Sequence, residues 1–138
     1  MNGSDLFRIG DVARRCGVSD DTIRHYEAKG VIAPARRDAN GYRRYDASVV
    51  DRVLLVRRAL RLGFSLDELA RIFKQRARGR PPCREVRSLA ERKLAEVNER
   101  IAELIDLRET LAHTLETWNG RLDATRDGEP AHLLESLI

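Results

Sequence analysis

Apolar residues along this chain follow two regimes. Up to about residue 75 they come in short clusters separated by glycines and polar turns, and from residue 84 they settle into one long repeat. Ile9, Val12 and Ala13 share a face of a predicted helix over 6–15, which Cys16-Gly17 closes. Ser19 is a good N-cap for a second helix with Asp20, Asp21 and Thr22 in its first turn, and Gly30 stops it. Ile23 and Tyr26 can face the core, while Arg24, His25 and Glu27 share the polar side. Two short helices joined by three or four residues form a helix-turn-helix pattern.

Val31-Ile32-Ala33-Pro34 is then extended, and Asn40-Gly41 predicts a tight hairpin because both residues tolerate positive φ. Arg36, Arg37, Arg43 and Arg44 flank that turn, giving a small basic wing. Asp46 can cap a third helix running to about Leu62, with Val49, Val53 and Val56 among its apolar positions. Ser65 and Glu68 make a capping box for a fourth helix, whose buried side holds Leu66, Leu69, Ala70, Ile72 and Phe73. Pro81-Pro82 ends any helix before it.

From Arg84 the steps alternate between four and three: Ala90, Leu94, Val97, Ile101, Leu104, Arg108, Leu111, Leu115 and Trp118. This is a heptad seam on one long helix, interrupted at Arg108, which either snorkels or meets an acidic partner that fixes register, or gives way to Leu107 through a slight rotation. Such a stripe needs another surface to cover it, and a second copy is the simplest. Antiparallel pairing makes a twofold dimer, and a parallel coiled coil is the alternative. Leu133, Leu134 and Leu137 suit one or two closing helical turns. The expected organisation is a mainly α chain: a winged helix-turn-helix head over 1–75, a linker over 76–83, a dimerisation helix over 84–118 and a C-terminal loop with a short helix over 119–138.

Charge sharpens this picture. Residues 1–80 hold 18 Lys and Arg against 10 Asp and Glu, while residues 81–138 hold 8 against 12. A basic head with an acidic tail suits a nucleic-acid binder whose second part binds something else. Two cysteines, Cys16 and Cys83, are too few for a disulfide scaffold and point to a reducing cytoplasm. The apolar runs are too short to cross a bilayer. No paired carboxylates, nucleophile–base spacing or glycine-rich phosphate loop suggests an enzyme.

A helix fits the DNA major groove, where Thr22, Arg24, His25 and Tyr26 could meet base edges or phosphates. The wing can set its four arginines and Tyr42 against the flanking backbone, while Tyr45 is better placed for packing. Double-stranded DNA is therefore the expected partner.

The order IRHYE at 23–27, GVIAP at 30–34, GYRRY at 41–45 and LGFSLDE at 62–68 closely resembles the mercury-resistance regulator family, MerR, over residues 7–73. The resemblance implies a homodimer on a palindromic operator inside an overlong promoter spacer. An effector would make it kink and underwind the DNA so that RNA polymerase can engage. It also implies Arg24 and Tyr26 as helix contacts and Tyr42 and Arg43 as wing contacts. In the family's metal sensors one thiolate lies at the start of the dimer helix, where Cys83 stands. The next cysteine position falls on Trp118, and a further one falls near Ala131 beside His132. The C-terminal cysteine cluster of the iron–sulfur branch and the large drug-binding domain of other branches are both absent from this sequence.

Three readings of Cys83 stay open. It could bind zinc or another thiophilic ion with His113 or His132 of a second copy. Its place at a helix N-terminus between Arg80 and Arg84 could instead lower its pKa and make it a sensor of oxidants or electrophiles. It could also be a small seam residue. An effector-independent architectural DNA binder is the alternative function.

Overall fold

The computed structural model describes residues 6–138 and divides at Arg87 and Ser88 into two compact units. Residues 1–5, which open the expected head, lie outside the described residues. The first unit begins with β1 (Leu6–Phe7), α1 (Ile9–Cys16) and α2 (Asp20–Ala28). The expected first helix thus starts three residues late. Leu6 and Phe7 are extended and pair with Asp46 and Tyr45, and the Arg8 amide donates to Asp11 at 3.3 Å as the helix opens. Gly17 closes α1 at φ 65°, a left-handed conformation that glycine adopts without steric cost. Ser19 caps α2 as expected, accepting from the Thr22 amide at 3.1 Å.

The wing consists of β2 (Arg36–Arg37) and β3 (Arg43–Asp46), and the three strands run in the order β1-β3-β2, all antiparallel. Its turn departs from the two-residue form expected of Asn40-Gly41. Asp38 and Tyr42 still bond through Asp38 N–H to Tyr42 O at 2.9 Å, leaving three residues at the tip. Only Gly41 has positive φ, at 78°. The Asp38 carboxylate explains this choice, since its Oδ1 accepts the amides of Asn40 and Tyr42 at 2.9 and 3.0 Å and braces a wider loop.

The third helix, α3 (Ser48–Arg61), starts later than expected because Asp46 belongs to β3, from which it accepts the Ser48 amide at 3.0 Å. The next, α4 (Leu66–Ala77), carries the full Ser65–Glu68 capping box. Val12, Ile23, Val31, Tyr45, Val53 and Val56 are the most deeply buried side chains of this unit. The core is thus made where α1, α2 and α3 meet.

One helix, α5 (Cys83–Asp123), dominates the rest and has 41 residues, about 60 Å at 1.5 Å per residue. It runs through Asn119-Gly120, where an end was expected. One glycine in an established helix costs only about 1 kcal/mol, and the Ala124 amide still bonds Gly120 O at 3.2 Å. A short 3-10 turn, Glu135–Leu137, follows. Trp118 Nε1 donates to Ser136 Oγ at 3.1 Å, tying that turn to the helix within the second unit.

Candidate nucleic-acid interface

The expected DNA-facing residues lie on α2 and on the wing. On α2, Arg24 and His25 are exposed, and Arg24 reaches back to Asp21 at 2.8 Å. That pair is solvent-exposed, with the Asp21 side chain 93% accessible, so it is a weak competitor for a phosphate or base. Thr22 is half-buried and its hydroxyl lies 2.9 Å from Ser19 Oγ, so it works first as part of the helix cap. Tyr26, expected both at the core and as a helix contact, is placed at the core. Its side chain is only 6% exposed, and burial pushes its phenol pKa up. The i, i+3 spacing from Ile23 turns it into the core, where it fixes α2 rather than presenting a ring to a groove.

On the wing, Arg36 faces Arg44 and Arg37 faces Arg43 across the strands. Like charges directly opposite destabilise a sheet unless something neutralises them. Asp38 neutralises one. It bonds Arg44 Nε at 3.0 Å, and that bond, with the amides of Tyr42 and Asn40, holds the Asp38 carboxyl below the ordinary carboxylate value. Arg44 is accordingly a brace inside the wing rather than an outward cation. Arg36, Arg37, Arg43 and Tyr42 remain exposed, Tyr42 at 66%. Arg37 donates to Gly41 O at 2.9 Å, which aims it along the wing tip.

One residue that the sequence reading passed over holds α2 and the wing together. Glu27 accepts the Ala35 amide at 3.0 Å and the Tyr45 hydroxyl at 2.7 Å, with Arg43 3.9 Å away. Burial and then the Glu27 carboxylate push the Tyr45 pKa up to about 12. Tyr45 itself is 1% exposed, in keeping with the packing role expected of it. The only sequence signal for Glu27 was its place at the end of IRHYE, on what looked like a solvated face.

A helix-turn-helix whose second helix is capped and locked beside a basic hairpin can place two elements against one duplex. Two family models match this sequence: "MerR HTH family regulatory protein" over residues 7–76 and "MerR, DNA binding" over residues 50–114. The chain belongs to the MerR family. It is a DNA-binding transcriptional regulator of that type and not an enzyme. A mercuric resistance operon regulatory protein of Bacillus cereus is 36% identical over 98 residues, covering 71% of this chain and 74% of that one. The lead(II) complex of the regulator PbrR691 from Ralstonia metallidurans CH34 superposes with a TM-score of 0.77 at 28% identity, over 96% of this chain and 99% of that one. HiNmlR, a MerR-family regulator lacking the sensor domain and bound to promoter DNA, gives a TM-score of 0.54 at 25% identity, over 83% and 94%. The winged head and the long helix of this chain are those of MerR regulators, the long helix being of the kind that dimerises.

The remaining expected residues lie on or beyond α5. Cys83 is its first residue and is exposed, and His113 and His132 are exposed as well. His132 has positive φ, at 48°. Among the described residues, no three His, Cys, Asp or Glu side chains of one chain gather closely enough to hold a metal ion. The Trp118 indole donates a hydrogen bond and offers no lone pair to an ion. The other cysteine, Cys16, is buried, and its pKa is raised by that burial, which suits the packing role expected of it. Along the seam, Leu94, Val97, Ile101, Leu104, Leu111 and Leu115 are 49–62% exposed in the single chain. Among the described residues no helix is long and apolar enough to cross a membrane.

Proposed function

We propose that two copies of this chain pair through the α5 seam as an antiparallel dimer and bind a palindromic operator within a promoter spacer. They distort that DNA in response to an effector so that RNA polymerase can engage the promoter. The observation that carries the reading is the wing. Arg36, Arg37 and Arg43 are held together on a two-stranded ribbon, with two cross-strand like-charge pairs and one internal carboxylate. A polyanion relieves that repulsion and an uncharged partner does not. In this scheme Arg24 and His25 face the groove, and the wing arginines with Tyr42 hold the backbone. Sequence preference then comes largely from how readily the spacer deforms.

For the effector, an exposed thiol at the first residue of α5 is one donor of a thiophilic-ion site, with His113 or His132 of a second copy completing it. The bound ion would be a ligand that biases one dimer shape over another. Cys83 as a redox or electrophile sensor is the second reading, supported by the same exposure of the thiol.

The test is binding of the reduced protein to its promoter fragment across a salt series, with transcription measured with and without thiophilic ions. Arg37→Ala and Arg43→Ala should weaken binding on all sequences and flatten the salt dependence by about one phosphate contact each. Cys83→Ser should leave DNA binding intact and abolish the response to the ion. Unchanged affinity in both wing variants would remove the wing from the interface. An ion response that survives Cys83→Ser would remove the metal reading.

A further inference from the structure

The first unit carries a second basic feature that the wing and α2 do not use. A groove of about 940 Å³ opens between the C-terminal end of α2, the extended residues 31–34, α3 and the last turns of α4. Its floor is apolar, with Pro34, Phe73 and Ala77 reaching the surface beside the buried Val31 and Ile32. Arg52, Lys74 and Arg76 stand around that floor. The Arg52 guanidinium lies 4.0 Å from the centre of the Phe73 ring.

What marks this groove is the shortage of counter-charge. Among the described residues no carboxylate comes within ion-pair distance of Arg52, Lys74 or Arg76. Two further cations that line it already have acidic partners, Lys29 with Asp67 at 3.2 Å and Arg71 with Glu85 at 3.4 Å. The one carboxylate in the lining, Glu27, is committed to Ala35 and Tyr45. Burial, and then the like charge of Arg76, lower the Arg52 pKa, so the fold holds two guanidiniums together at a cost that an anion would relieve.

We infer that this groove is a docking surface for an acidic, apolar-studded segment of another protein. Carboxylates of that segment would meet Arg52, Lys74 and Arg76 while its apolar side chains cover Pro34, Phe73 and Ala77. Charge complementarity selects an acidic partner, and the apolar floor selects a peptide over a nucleic acid, since a phosphate backbone has nothing to cover it. The groove is lined at this end by Glu27, Lys29 and Gly30 and not by Arg24 or His25, the α2 residues proposed to face DNA. The inference is independent of the effector reading and asks only that the head keep its fold.

The experiment uses the full-length protein and a short fluorescein-labelled peptide of Glu and Leu with a central Phe, followed by anisotropy in low and high salt. Promoter DNA is a competitor in a second arm. A synthetic copy of the chain's own residues 123–138 competes in a third. Arg52→Glu with Arg76→Glu, and Phe73→Ala separately, are compared with Arg92→Glu on α5, with circular dichroism as a check of folding. The expected result is salt-sensitive peptide binding, weakened about tenfold or more by the double reversal and by less in Phe73→Ala. It should be unaffected by Arg92→Glu and compatible with bound DNA. Absence of peptide binding, or binding equal in the folded double variant, overturns the proposal. Displacement by promoter DNA assigns the cations to the DNA interface and overturns it too. Stronger competition by the 123–138 peptide assigns the groove to a second copy of this chain. DNA affinity of the parent, read alone, tests the DNA-binding proposal separately.

Discussion

Glu27 ties α2 to the wing, because one carboxylate serves the backbone at Ala35, the phenol of Tyr45 and the approach of Arg43. Losing it strands a buried hydroxyl, and a hydrogen bond to a charged group is worth about 1.5–3 kcal/mol. Glu27→Ala should therefore lower unfolding stability by about that amount and loosen the wing, read by urea denaturation and by amide exchange at 43–45. The Tyr45 phenol gives this contact a pH signature. Its pKa is raised from an ordinary 10 to about 12, so the folded state holds its proton more tightly than the unfolded chain. That stability is fully present below pH 10 and drains away as the pH climbs toward 12. Tyr45→Phe should reduce this alkaline loss, leaving the share due to Tyr26 and Cys16, whose pKa values burial also raises, and a loss undiminished in that variant would show that Tyr45 does not carry it. At this scale the sequence was legible where local chemistry decides the outcome. The caps at Ser19 and Ser65, and the glycine stop at Gly17, depend on neighbours four residues away or fewer. Glu27 was illegible because its partners lie eight and eighteen positions along the chain. Tyr26 was legible through its helical phase, which placed it at the core with Ile23, while the motif position suggested an exposed role.

The wing shows the same division at the level of an element. Its existence and charge follow from the basic flanks and Asn40-Gly41, but its turn was set by Asp38, which spans the tip and clamps Arg44. Because the Asp38 pKa is lowered on folding, its contribution is present above the ordinary carboxylate range and is lost as the pH falls through the folded value. Acidification should therefore open the wing before the helices melt. Amide exchange or the Gly41 resonance would follow this, and Asp38→Asn should weaken the pH dependence, leaving the share due to Asp46, whose pKa its bond to Ser48 also lowers, with α1–α4 intact. A wing that opens at the same pH in that variant would exclude Asp38 as the trigger. β1 was hidden for a related reason: a two-residue strand has no period of its own, and only its pairing with Tyr45 and Asp46 defines it.

On the scale of the whole molecule, the α5 seam is a surface that one chain leaves open. The heptad spacing was legible because a repeat over many turns outweighs any single exception, so a fold with a long amphipathic helix could be expected from the sequence alone. Legibility failed at the helix end, expected at 118 where the apolar seam stops, because a long helix carries on past its last seam residue and through one glycine. Half-exposed Leu94, Val97, Ile101, Leu104, Leu111 and Leu115 form a contiguous apolar face of a kind that monomers rarely present to water. If that face joins two copies, each buried leucine contributes roughly 1.5–3 kcal/mol. A charge at its centre must then be carried twice into an apolar seam. Leu104→Glu should consequently shift the dimer toward monomer at micromolar concentration, measured by light scattering during size exclusion. The head should keep its fold, because none of its core residues lies near position 104 in the chain. DNA binding should weaken far more than a single-head contact explains, since a palindrome engages two heads on one duplex and loses the gain from linking them. An exposed control on the same helix, Glu99→Lys, should change neither mass nor affinity. If Leu104→Glu stays dimeric, the pairing surface lies elsewhere on the chain. If it becomes monomeric with undiminished operator affinity, one head alone accounts for recognition and the twofold reading fails.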